Sequence, residues 1–407
     1  MELIQIGKIV SLILILLILL KLKTNISLAL FILSIYSIIL FLLNIRVALS
    51  ASFDILTDST SVRLYIIIVS VLYITMIQKE KKMFDQLLSS LRSIFRNDKI
   101  VSMIAPSIIG LLPMPGGALV SAPLVEKATE KMAMSNEFKT YLNYWFRHVW
   151  EFVWPIYAGL LLFEAMSGIT LKIIVLNQAP YTILNVLTGY IIVSWYLRKD
   201  KSASAPPPPN GTVGKTINDF IGGIWPVLMI ILLFFIFSIP LYISMILTSV
   251  MLTLIKRVSI KEVSQMLFSK LIGRTMLLMG SVLVFQKIIY ISNVFGTTSP
   301  EDLSFSFLIF LCFLISFSIG FLTGVNTAYI AISFPILLPL IQGLPNYVNL
   351  SIYIYVIGFS GILLSPVHLC LVFTNEYFKS NLLKVYKYLF PPVFILMIFS
   401  TLIVLFT

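Results

Sequence analysis

The sequence predicts an all-α polytopic membrane protein built from two inverted repeats of about five transmembrane helices, each with a re-entrant helical hairpin and a broken helix. Three observations carry this. The 407 residues are 59% hydrophobic and only 11% charged, with a mean hydropathy of +1.01, which excludes a soluble globular domain. Apolar runs recur along the whole chain. Each half also contains an apolar segment interrupted by glycine and proline, and a polar linker separates the halves.

The apolar runs are 3–20, 26–43, 64–77, 141–165, 172–197, 217–237, 238–255, 275–292, 303–320, 347–374 and 388–406. Most approach the ~20 residues that cross a bilayer as a helix. A β-barrel would need alternating segments of about ten residues, and the sequence has none. The first run is followed by Lys21 and Lys23 and not by a small-residue cleavage site, so it reads as a retained span. Two cationic amphipathic stretches, 80–99 and 259–273, read as helices lying on the cytoplasmic face.

The segment 198–216 is rich in proline, serine and charge and divides the chain into 1–197 and 217–407. Sliding the halves by about 211 places Ser27 on Ser238, Arg46–Val47 on Arg257–Val258, Arg63 on Arg274, Pro155 on Pro366 and Pro180 on Pro391. A shift of 210 places Gly110 on Gly320 and Ala118 on Ala328. If each interrupted segment enters and leaves on one side, each half crosses an odd number of times. The halves then have opposite orientation, a mark of secondary transporters.

The net charge of +12 reflects basic residues in cytoplasmic loops and predicts no nucleic-acid partner. With both termini outside and the central linker cytoplasmic, the cytoplasmic segments are 21–25, 79–99, 126–139, 198–216, 256–274 and 376–387. They hold 23 of the 29 Lys and Arg residues. The loop 293–303 falls outside and carries Glu301 and Asp302 with no base. Cys312 and Cys370 lie in apolar runs and read as packing residues, with neither a disulfide framework nor a metal set.

The interruptions are "LLPMPGGALVSAPLV" (111–125) and "IGFLTGVNTAYIAISFP" (319–335). Irregular backbone at membrane depth survives only where it is buried in protein or lines a wet cavity. Residues 100–132 therefore form a hairpin entering from the cytoplasm, and 304–341 one entering from outside. Their tips, Pro113–Ala118 and Thr323–Ala328, meet near the midplane. Each half-helix that starts after a tip offers free N–H groups and partial positive charge to an anion. The substrate-binding candidates are Pro115, Gly116, Gly117, Ala118 and Ser121 at the first tip, and Thr323, Asn326 and Thr327 at the second. An N-capping role for Asn326 or Thr327 is the alternative.

The broken helices are 141–165 and 347–376. They supply Asn143, Arg147, His148, Glu151, Pro155, Ser360, Gly361, Ser365, Pro366 and His368 as ion-coupling candidates, because intramembrane polar and ionisable groups mark pathways. Arg147 and Glu151 stand four apart and can pair on one helix face. His148 and His368, the two histidines of the chain, read either as proton carriers or as hydrogen-bonded packing residues. Pro155 and Pro366 free carbonyls one turn back. Carbonyls near Gly116 and Gly324 are the candidates for Na⁺; no other metal and no organic cofactor is expected.

The segments "GLLPMPGGALVSAPLV", "NYWFRHVWEF" and "SPVHLCLV" with "TNEYF" resemble an uncharacterised family of prokaryotic integral membrane proteins in the ion transporter superfamily. That superfamily includes divalent-anion:sodium symporters, gluconate and citrate permeases and arsenite exporters. The resemblance implies an elevator-type fold, a mobile transport domain of hairpins and broken helices, and a scaffold that forms homodimers. The divalent-anion symporters carry Ser-Asn-Thr at both tips. The second tip here reads Val325–Asn326–Thr327, so only Asn-Thr carries over, and nothing carries over at the first.

The function expected is secondary active transport of a small, anionic solute across the cell membrane, coupled to Na⁺ or H⁺. The alternatives are a membrane-embedded metal-dependent enzyme, in which His148, Glu151 and His368 hold the metal, and an ion channel. No H-E-x-x-H or G-x-S-x-G motif supports an enzyme. No acidic ring or filter motif supports a channel.

Overall fold

A computed structural model describes residues 24–83, 97–111, 117–197, 213–292 and 304–406, together with scattered positions in 7–22 and residues 86, 87 and 90. The first apolar run, most of the 80–99 stretch, the tip residues 112–116, the linker and the acidic loop at 293–303 fall wholly or largely outside the described residues. Among the described residues every regular element is helical.

The elements are α1 (Ile26–Leu40), α2 (Ile45–Thr57), α3 (Ser59–Glu80), α4 (Asp98–Gly110), α5 (Gly117–Ala128), α6 (Asn136–Arg147), α7 (Ala158–Ser167), α8 (Leu171–Leu197), α9 (Val213–Ile231), α10 (Leu241–Ile255), α11 (Ile260–Leu267), α12 (Lys270–Ile291), α13 (Phe305–Thr323), α14 (Asn326–Ile341), α15 (Tyr347–Leu364), α16 (Leu369–Phe378) and α17 (Leu382–Phe406). Six helical stretches are long and apolar enough to cross a membrane: Ser59–Glu80, Thr216–Ile236, Ile260–Ile291, Phe305–Thr323, Tyr347–Phe378 and Leu382–Phe406. Large apolar side chains are exposed along them, among them Leu277, Phe310, Phe394 and Ile236. In water such a surface would aggregate; against lipid tails it is at rest. The chain is a helical membrane protein.

Capping residues explain several boundaries. Helix α2 was not among the expected spans. Asn44 starts it, its side chain accepting from the Arg46 N–H, and Asp58 ends it and caps α3 by accepting from Thr60 at 2.8 Å. Helix α6 begins at Asn136, five residues before the expected 141, because Ser135 caps it through the Phe138 N–H. The stretch 259–273 divides in two. Ser259 and Glu262 form a capping box at the start of α11, and Ser269 caps α12. Lys81 reaches Glu262 at 3.0 Å and ties α11 to the end of α3.

Two groups of helices result. In one, α1 and α2 pack on α12, and α3 and α9 pack on α10; Tyr73 and Thr253 join α3 to α10 through a 2.7 Å hydrogen bond. The other group holds two helical pairs and two interrupted spans. Helices α4 and α5 pack together and α4 lies against α6; α13 and α14 pack together and α13 lies against α15. Contacts of α3 with α7 and of α12 with α14 connect the groups.

Each interrupted span has a proline within its break. Helix α6 ends at Arg147, residues 148–157 form turns around Pro155, and α7 follows. Helix α15 ends at Leu364, residues 365–368 turn around Pro366, and α16 follows. The connections across the breaks are exchanged between the halves. Helix α5 packs on α16, and α14 packs on α7. Each pair therefore lies against its own half's span before the break and the other half's span after it.

One close approach recurs in both halves. A methyl group on Gly110 would overlap the backbone carbonyl of Arg147, and one on Gly320 would overlap that of Gly358. Gly110 and Gly320 are the two positions the sequence shift superposes. Only glycine lets the backbones approach so closely.

Candidate functional site

The two breaks and the starts of α5 and α14 converge on one buried polar cluster. It begins with Arg147, the last residue of α6. Its Nη1 donates to the Ile109 carbonyl at 3.3 Å, at the C-terminal end of α4, where the helix dipole favours a cation. Gly117 opens α5 directly against the same guanidinium, and a Cβ there would overlap it. Arg147 is buried, at 7% exposure. Tyr157 donates its hydroxyl to the Gly110 carbonyl, so the end of α4 is satisfied by both sides of the first break.

Asn143, fully buried, ties three elements together. Its Nδ2 donates to the Ala118 carbonyl and to Thr374 Oγ1, each at 3.0 Å. This joins α6 to the start of α5 and, across the halves, to α16.

Glu151 sits in the first break. Its Oε2 accepts from Asn326 Nδ2 at 3.0 Å, and its backbone carbonyl accepts from the Tyr355 hydroxyl at 2.9 Å. The expected helical spacing of Arg147 and Glu151 does not exist, because α6 stops at Arg147 with His148 as its C-cap. Capping is likewise not the role of Asn326. The N-cap of α14 is Val325, Asn326 is the first helical residue, and its amide reaches across to Glu151. Asn326 Oδ1 is buried without a hydrogen-bond partner among the described residues.

Gly159, the second residue of α7, makes room for Asn326. A Cβ at Gly159 would overlap the Asn326 carboxamide. Gly159→Ala is therefore expected to displace Asn326 from Glu151 and to reproduce the functional defect of Asn326→Ala. Parallel uptake assays on the two variants check this.

The histidines meet at the centre. His148 is the C-cap of α6 and His368 the N-cap of α16. Their Nε2 atoms stand 3.1 Å apart although the residues are 220 apart in sequence. His148 Nδ1 bonds the Tyr144 carbonyl at 2.7 Å, and His368 Nδ1 bonds the Gly324 carbonyl at 2.6 Å. Gly324 holds a left-handed conformation at φ +60°, which turns the chain from α13 into α14 and exposes that carbonyl. The Tyr144 ring packs against His148 with centroids 4.7 Å apart.

Other expected residues lie elsewhere or serve their own helices. Pro115 and Gly116 are outside the described residues. Ser121 bonds the Gly117 carbonyl at 3.2 Å, Thr323 bonds that of Ile319 at 2.7 Å, and Ser360 bonds that of Val356 at 2.8 Å, each within one helical turn. Gly361 packs α15 against the Phe317 backbone of α13. Ser365 Oγ accepts from the Val367 N–H at 3.4 Å inside the second break, beside Pro366. Thr327 is half-buried at the second position of α14.

Tyr144, Gly159, Tyr355 and Thr374 belong to the cluster without having been singled out as site residues. For Tyr144, Tyr355 and Thr374 the available signal was a hydroxyl within an apolar run, which must find a partner in a bilayer; Gly159 offered no such signal. Cys370, expected as packing, places its Sγ with the two imidazoles: one ligand atom from each of His148, His368 and Cys370 lies within 4.8 Å of the others.

A search of curated proteins finds no match for the chain. The model of the family described as "Protein of unknown function (DUF401)" matches residues 5–407, nearly the full length, and the chain belongs to that family.

Proposed function

We propose that this protein is a secondary active transporter of a small, anionic solute, working by an elevator alternating-access mechanism coupled to Na⁺ or H⁺. The observation that carries the reading is the exchanged packing of two helical pairs and two broken spans around one buried polar cluster. In transporters with inverted repeats, discontinuous helices near the midplane build the substrate site, and half-helix N-termini face anionic groups. The starts of α5 and α14 provide such termini here, and Arg147 supplies a positive charge beside the first. The recurrence of the glycine-to-carbonyl approach at Gly110 and Gly320 favours a repeat origin for the halves.

Under this reading the second group of helices moves as the transport domain. The group of α1–α3, α9, α10 and α12 is the scaffold, through which two copies pair in the cell membrane. Both termini lie outside and the 198–216 linker in the cytoplasm, an orientation the charge distribution supports. Glu151, His148 and His368 are the coupling candidates, and the buried Oδ1 of Asn326 is an acceptor awaiting a donor or a cation.

The test is uptake by purified protein in liposomes. A panel of labelled organic acids and oxyanions is offered under an imposed Na⁺ or proton gradient. Concentrative uptake that collapses with one gradient is expected, and Gly117→Val, which drives a side chain into the Arg147 guanidinium, should remove it while leaving expression intact. Uptake that runs only downhill, unaffected by either gradient, would point to a channel.

A further inference from the structure

We infer that His148, His368 and Cys370 form a binding site for a transition-metal ion of the zinc class, held at the contact between the two broken spans. The inference does not rest on the transport reading.

The hydrogen bonds decide the ring protonation. A backbone carbonyl only accepts, so a ring nitrogen bonded to one must carry the hydrogen. His148 Nδ1 faces the Tyr144 carbonyl and His368 Nδ1 faces the Gly324 carbonyl. Both neutral imidazoles are therefore Nδ1–H tautomers, and both Nε2 atoms present lone pairs. Those lone pairs face each other at 3.1 Å. Two facing lone pairs repel unless something positive lies between them, which is either a shared proton or a metal ion.

The surroundings favour the metal. Metal-bound histidines characteristically donate the other ring N–H to a carbonyl or carboxylate, which fixes tautomer and orientation. Both rings here do so. A third donor, Cys370 Sγ, completes a set within 4.8 Å, and Cys370 is the second residue of α16, where the helix terminus stabilises a thiolate. Two imidazoles and a thiolate suit zinc and its neighbours and not Na⁺ or Mg²⁺. With zinc–ligand distances of ~2.0–2.1 Å to nitrogen and ~2.3 Å to sulfur, tetrahedral edges are about 3.4 Å for N–N and about 3.6 Å for N–S. The nitrogens need part by only a few tenths of an ångström. The Cys370 side chain supplies the remaining adjustment. Three protein ligands leave one position for an exchangeable ligand.

Such an ion would join the break after α6 to the break before α16. It would fasten the two halves together at their centre.

The experiment uses full-length protein in detergent, stripped with chelator and titrated with Zn²⁺ or with Co²⁺ as a coloured substitute. One ion per chain is expected by elemental analysis after Zn²⁺ loading, with a rise in melting temperature. Co²⁺ should give a near-ultraviolet sulfur-to-cobalt charge-transfer band. Cys370→Ser should abolish that band, and Cys312→Ser should leave it intact. His148→Ala or His368→Ala should weaken binding by at least about 100-fold, beyond the effect of an orienting partner. Gly324→Ala, whose Cβ would press on the His368 backbone at 2.8 Å, should weaken it by about 10–100-fold. The wild-type spectrum alone decides the matter if a variant fails to fold. No stoichiometric metal, or a cobalt spectrum without the sulfur band, overturns the site and assigns the pair a shared proton instead. Failure of metal binding leaves the uptake experiment untouched, and failure of uptake leaves the metal titration untouched.

Discussion

Gly320→Ala and Gly110→Ala are expected to be strongly destabilising for single-methyl changes. Each new Cβ would overlap a backbone carbonyl, that of Gly358 or that of Arg147. A carbonyl within a helix cannot rotate aside as a side chain can. Relief requires α13 to move off α15, or α4 off α6, along contacts that define each pair. Inserting a methylene into a well-packed core typically costs ~1–3 kcal/mol, and a backbone obstacle should place these variants at or above the upper end. Gly273→Ala in α12 provides the contrast. Nothing lies within 4 Å of its Cβ, so removal of glycine's entropic penalty should stabilise the helix by about 0.5–1 kcal/mol. Melting temperatures in detergent check all three. If Gly320→Ala melts with the wild type, α13 and α15 are not in contact at this point.

Asn326→Asp is expected to have the largest effect on function. Asn326 Nδ2 donates to Glu151 Oε2 at 3.0 Å. Aspartate exchanges that donor for a second carboxylate oxygen at the same place. Two like charges ~4 Å apart repel by roughly 4 kcal/mol at an effective dielectric constant near 20. Uptake should fall to background, with a clear loss of stability. Asn326→Ala removes the donor without adding charge, so it should raise KM and cost only about 1.5–3 kcal/mol of stability, the range for a hydrogen bond to a charged group. The ordering Asp worse than Ala is the diagnostic result. Equal effects would show that Glu151 is neutral or that the contact is absent. Glu151→Gln combined with Asn326→Asp should restore part of the stability, since one charge of the pair is gone.

Much of the architecture was legible. The spans follow from runs of apolar residues, which are a local property. The two breaks fall around Pro155 and Pro366, which restrict the backbone wherever they occur. The sequence shift that places Gly110 on Gly320 joins two positions that each approach a backbone carbonyl, of Arg147 and of Gly358. Helix starts at Asn44 and Ser135 were overlooked although both are ordinary caps, because hydropathy dominated the reading of the flanking segments. The helical spacing expected of Arg147 and Glu151 presumed a continuous helix through residues 148–151, and α6 stops at Arg147.

By itself the sequence determined that this chain is a helical membrane protein and where its helices are interrupted. Those are consequences of composition and backbone restriction acting over a few residues. The tertiary structure alone decided which interrupted segments face one another. It set His148 against His368, Asn326 against Glu151 and Gly159, and Asn143 against Thr374, and it brought Cys370 Sγ within 4.8 Å of both imidazoles. Such contacts join residues more than 150 positions apart. They depend on how bulky and small side chains interlock across helices, which no local pattern encodes.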